Sequence, residues 1–106
     1  MENPSRKDMI LKMLNEEPDD VFLNYALAME YLAISDLSGA EAQLKKVVGI
    51  DANYLACYYQ LGQIKEQQAV NDMAIEYYKK GIELAKAQNN KKALGELHEA
   101  LQILED

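Results

Sequence analysis

An all-α fold is predicted by three observations. Threonine and tryptophan are absent, other β-branched residues are sparse, and Ala, Leu, Glu, Lys and Gln dominate, the residue types that lose least on entering a helix. Both prolines, Pro4 and Pro18, precede Val21, so the remaining chain lacks the strongest helix breaker. Apolar residues recur at helical spacing from end to end. The 106 residues, 49% of them hydrophobic, suffice for one domain, 1–106, with a real core.

Residues 5–16 form the first helical stretch. The run "EEPDD" at 16–20 breaks it, with Asp19 or Asp20 placed to cap the next helix. That helix, near 20–34, ends at "SDLS", and another near 39–48 begins where Ser38 and Glu41 fit a capping box. A further helix starts near Asn53 and breaks around 70–72, where Asn71 or Asp72 is the expected N-cap. The next runs to about Ala85. Beyond Asn89 and Asn90, residues 89–106 carry Leu94, Leu97, Leu101 and Leu104, flanked by Ala93 and Ala100, in an amphipathic stripe.

Laid over itself at an offset of 34, the chain pairs Tyr25 with Tyr59, Leu27 with Leu61, Ala40 with Ala74, Lys45 with Lys79 and Lys46 with Lys80. Similar residues fill the gaps: Ala28 with Gly62, Leu44 with Tyr78, Val48 with Ile82 and Ile50 with Leu84. This pattern resembles the tetratricopeptide repeat (TPR), a helix-turn-helix of 34 residues with a Trp, Leu-Gly, Tyr, then Ala, Phe and Pro signature. In the unit 55–88 the match is Tyr58, Leu61, Gly62, Ala74 and Tyr78, with Lys65 in the late tyrosine place and Lys86 in the proline place. In the unit 21–54 it is Leu27, Ala28, Tyr31, Ala40 and Leu44, with Asn24 in the tryptophan place and Ala52 in the proline place. Residues 5–16 are similar to the second helix of a preceding half repeat, and 89–106 to a capping helix. The resemblance implies a right-handed α-α superhelix, a TPR-like solenoid of about six antiparallel helices. It also gives a reason for two mid-helix glycines, each of which costs about 1 kcal/mol in an exposed helix. Close helix packing implies that Gly62 lies opposite Ala74 and that Gly81 faces the capping helix.

The formal net charge of −7 opposes sequence-independent binding to nucleic acid or anionic membrane; Lys79, Lys80 and Lys86 form only a local cationic group. A single cysteine, Cys57, and an amino terminus "MENPSRKD" without an apolar stretch predict a cytoplasmic protein. Catalysis has little to draw on. Cys57 belongs to the packing stripe with Leu61, His98 to the polar side of the last helix, and "EEPDD" lacks the spacing of a calcium loop. No catalytic residue, metal or cofactor is expected, and the chain reads as a non-enzyme.

Sorted by helical angle, Tyr31, Tyr58 and Tyr78 fall on packing faces. The opposite face of each repeat's first helix carries Phe22, Tyr25, Met29, Leu32 and Ala33 in the first unit, and Ala56, Tyr59, Gln63, Glu66 and Gln67 in the second. The resemblance implies that this face lines a concave groove for a protein or peptide partner, with Phe22, Tyr25, Met29 and Leu32 as apolar anchors and Tyr59, Gln63 and Glu66 as polar selectors. Two other uses of the apolar half stay open: cover by the chain's own first helix, or self-association as a weak homodimer or within a larger assembly. Some family members hold a carboxyl-terminal aspartate with groove Lys, Arg and Asn; those residues are missing at these places, so that mode is not implied.

Overall fold

The computed structural model describes residues 4–105; Met1 to Asn3, part of the amino-terminal stretch "MENPSRKD", and Asp106 lie outside the described residues. Among the described residues there are six helices and no strand: α1 (Arg6–Glu16), α2 (Val21–Ala33), α3 (Leu37–Ile50), α4 (Ala56–Gln67), α5 (Asn71–Ala87) and α6 (Lys91–Glu105). The fold is all-α.

Local chemistry explains where the helices begin. Side-chain oxygens of Ser5, Asp20, Asp36 and Asn90 each accept a hydrogen bond from the backbone N–H three residues on, at 3.1, 2.8, 2.9 and 3.1 Å, satisfying a donor that the helix leaves unpaired. Two caps differ from the sequence expectation. Asp36, not Ser38, caps α3, because the helix starts earlier, at Leu37. In α5 neither Asn71 nor Asp72 caps; the N-cap position falls on Val70, which has no side-chain acceptor. The helix expected from Asn53 starts at Ala56, behind the turn residues 52–53.

The ends of α2, α4 and α5 share one device. Ser35, Ala69 and Asn89 adopt left-handed φ values of 60°, 61° and 54°. The following residue's N–H then returns to the last helical turn, Asp36 to the Tyr31 carbonyl at 2.9 Å, Val70 to Lys65 at 2.8 Å and Asn90 to Ala85 at 2.9 Å. These are Schellman turns built without glycine. Ser35 and Ala69 are 34 residues apart, so the repeat is written in backbone conformation as well as in side chains. Asp36, Val70 and Asn90 each close one helix and open the next.

The chain divides into two compact units, Met1–Ala52 and Asn53–Asp106. In the first, Ile10 of α1 is buried with Ala26 and Leu27 of α2, and Leu14 and Tyr31 pack against them. The Lys7 ammonium lies 4.9 Å from the Tyr31 ring centre, within reach of a cation–π attraction. On α3, Ala40, Leu44 and Val47 are fully buried. Asn24, in the tryptophan place, is fully buried too. Its amide nitrogen donates to the carbonyls of Pro18 (3.0 Å) and Asp20 (2.8 Å), and its oxygen accepts from the Gln43 side chain. A buried amide left unbonded would cost a few kcal/mol. Here it instead ties the Pro18 turn to α2 and α3.

In the second unit one cluster joins Ala74, Tyr78, Ile82 and Ala85 of α5 to Leu97 and Ala100 of α6, with Leu94, Leu101 and Leu104 packed against it. Cys57 and Leu61 of α4 are buried, as the packing stripe predicted, and so is Ile64. The glycines are places of close approach. A Cβ on Gly81 would stand 2.9 Å from Leu97 Cδ2 and 3.3 Å from Tyr58 Cβ, so Gly81 does meet the last helix. A Cβ on Gly62 would overlap the Tyr78 ring, 2.7 Å from its Cδ1. The neighbour at Gly62 is therefore Tyr78 and not Ala74, because the large ring of α5 lies directly on the α4 backbone.

Candidate functional site

Tyr59, Gln63 and Glu66 recur along α4 at i, i+4 and i+7, which places them on one face. That face is half-buried and opposes α6 across a cleft. One end of the cleft, about 310 Å³, is lined by Tyr59, Gln63 and Glu66 with Glu96, Glu99 and Ile103. The other, about 330 Å³, shares Tyr59 and Glu96 and is walled by Leu55, Ala56, Ala93 and Leu97, with Gln60 and Asn90 at its margin. Each volume suits a few side chains of an extended segment. The three α4 residues are thus brought together, in a cleft with the last helix and not on an open polar surface.

Two of those residues are fixed from behind. The Gln63 amide donates to the Tyr78 hydroxyl at 2.7 Å, and that hydroxyl donates to the Glu66 carboxylate. Gln63 also reaches Glu66 at 3.4 Å. Burial, and next the adjoining Glu66 carboxylate, push the Tyr78 phenol well above the ordinary tyrosine range, so the neutral donor is the form held. The Tyr59 and Tyr78 rings lie 6.1 Å apart at 49°, a tilted arrangement that suits aromatic pairs. Gln63 and Glu66 are thus held in position by contacts within the fold.

The α6 half of the cleft was missed by the sequence reading, which gave that helix a packing role alone. A signal was present: Glu96, Glu99 and Ile103 are spaced i, i+3, i+7, a second face beside the leucine stripe. Ile103 is 67% exposed, unexpected for a side chain serving only as a cap.

On α2 the apolar residues stand differently. Phe22 is 70% exposed, whereas Tyr25, Met29 and Leu32 are half-buried. The first helix packs on Ala26 and Leu27, whereas Phe22, one turn before Ala26, stays exposed. Cys57 is buried and His98 exposed. Among the described residues no helix is long and apolar enough to cross a membrane.

A family model described as tetratricopeptide repeat matches residues 55–88. No curated protein matches the chain by sequence. Among solved structures, a tetratricopeptide repeat domain protein from Salinibacter ruber is 38% identical, covering 81% of this chain and 96% of its own, with a TM-score of 0.76. A protein from Bordetella parapertussis aligns at TM-score 0.85 over 96% of this chain and 89% of its own, at 20% identity. The first TPR of Spaghetti (RPAP3), bound to the HSP90 peptide SRMEEVD, aligns at TM-score 0.75 over 94% of this chain and 78% of its own, at 23% identity. The last two likenesses concern the fold; the first, at higher identity and near-complete coverage, concerns descent. By its 34-residue repeat, its helix pairs and that relative, the chain belongs to the tetratricopeptide repeat family.

Proposed function

We propose that the protein is a non-catalytic interaction module that receives an extended segment of a protein partner in the α4–α6 cleft. The observation that carries this is the cleft's construction: an apolar end at Leu55, Ala93 and Leu97 continuous with a polar end at Gln63 and Glu66, the latter held by Tyr78. Side chains immobilised in the unbound state lose less entropy on binding. Tyr59, which lines both ends, is the central anchor. The TPR of Spaghetti, similar in fold, was solved with a peptide, which supports peptide binding as the general mode. The lone cysteine is consistent with work in a reducing, cytoplasmic setting.

Selection from a random peptide library on the immobilised protein tests this. Defined sequences should be enriched, and their binding should fall at least tenfold in Tyr59→Ala while the thermal transition is retained. An absence of enrichment, or binding indifferent to Tyr59, would overturn the reading.

The exposure of Phe22 beside half-buried Met29 and Leu32 favours a second use, self-association or docking through α2. Light scattering over a concentration series distinguishes it: a dimer abolished by Phe22→Glu supports that use, and a concentration-independent monomer rejects self-association.

A further inference from the structure

Among the described residues, the two cavities of the α4–α6 cleft are lined by Glu66, Glu96 and Glu99 and by no Lys, Arg or His. Three carboxylates share one concave surface with low-dielectric walls, which concentrates a negative potential there. One cavity has an apolar wall of Leu55, Ala93 and Leu97, the other holds Glu66 and Glu99, and Tyr59 and Glu96 line both. An acidic segment entering here would set its charges against all three carboxylates, and a wholly apolar one would strip them of water without pairing them.

We infer that the cleft selects a cationic segment, one whose Lys or Arg side chains meet Glu66, Glu96 and Glu99 while a neighbouring aliphatic side chain enters the pocket at Leu55, Ala93 and Leu97. This rests on the peptide-binding reading proposed for the cleft and fixes the chemistry of its partner. Glu66 is the best placed of the three, since its carboxylate already accepts from Tyr78 and is held in position; arginine, with several donors in a planar fork, suits such a fixed carboxylate better than lysine. A partner of this kind is opposite in charge to SRMEEVD, the acidic-tailed peptide held by the Spaghetti TPR.

The same library selection supplies the test. Enriched peptides should carry net positive charge next to an aliphatic residue, and the top-ranked one, synthesised with a fluorophore, should bind more weakly as salt rises from 50 to 500 mM. Glu96→Lys/Glu99→Lys should weaken it at least tenfold. Glu76→Lys/Glu83→Lys, on exposed positions of α5 outside the cleft, changes net charge equally and should alter binding less than twofold; circular dichroism confirms that both variants fold. Enrichment of neutral or acidic peptides overturns this inference and leaves the peptide-binding reading standing. Equal losses in the two charge variants would trace the preference to net charge and overturn it as well. No enrichment at all removes the reading on which it rests.

Discussion

Gly62 and Gly81 lie in helices where alanine would be intrinsically better, yet each has a partner inside the space a side chain would need. At Gly62 that partner is the Tyr78 ring, itself buried and hydrogen-bonded through its hydroxyl, so it cannot retreat without breaking the Gln63 and Glu66 contacts. Gly95, exposed on α6, has nothing within 4 Å of an added Cβ. Denaturant titration should therefore give opposite signs: Gly62→Ala destabilises by about 1–3 kcal/mol, and Gly95→Ala stabilises by roughly 0.5–1 kcal/mol. Tyr78 also makes a pH prediction. Its folded pKa is raised, chiefly by burial and then by Glu66, so its contribution to stability is complete below the ordinary tyrosine value of about 10. It is lost as pH rises from there towards the folded value. Unfolding free energy measured against pH should fall above about pH 10, and Tyr78→Phe should flatten that alkaline limb; an unaltered limb would mean that other groups produce it.

At the scale of the element, the turns are more alike than their sequences. Asp36, Val70 and Asn90 each follow a left-handed residue and each open a helix, but only Asp36 and Asn90 supply a capping oxygen. Val70 holds the same position with a side chain that is 37% exposed, so little buried apolar area would be lost on replacing it. Val70→Asp should add the missing acceptor and stabilise α5 by about 1 kcal/mol, read as a higher denaturation midpoint at unchanged m-value. The comparison also shows why helix starts were harder to place from sequence than helix bodies. Ser38 with Glu41 matches a capping box as a string, but Asp36 enters first because the Ser35 turn has already directed the backbone N–H of Gly39 onto its carboxylate. A cap is a matter of backbone geometry, which the string of residues alone leaves undecided.

For the molecule as a whole, the question left by the sequence was which apolar residues of the first repeat are core. The structure separates them by side of the helix. Leu27 is 4% exposed and packs with Ile10 of α1, whereas Phe22 is 70% exposed. Leu27→Ala should cost about 2–5 kcal/mol of folding stability, and Phe22→Gln should stay within roughly 0.5 kcal/mol of the parent. Met29→Gln, at a half-buried position, should fall between. A Phe22 variant as unstable as the Leu27 variant would place that ring in the core and remove α2 from the candidate surfaces.

Much of this protein was determined by its sequence alone. The 34-residue recurrence, the helical periodicity and the absence of proline after Pro18 specify helix pairs, because amphipathic helices of that spacing can bury their stripes only against one another. The same periodicity put Cys57 in the core and grouped Tyr59, Gln63 and Glu66 on the opposite face. Tertiary structure alone decided what faces them. Glu96, Glu99 and Ile103 become cleft residues, and Gln63 and Glu66 become fixed groups instead of mobile surface side chains, only once α6 and the Tyr78 hydroxyl are in place. Periodicity reports which side of a helix a residue occupies, and that is a local property. The charge and shape of a cleft depend on two helices more than twenty residues apart in the chain, and their approach is set by packing, down to the missing side chains of Gly62 and Gly81.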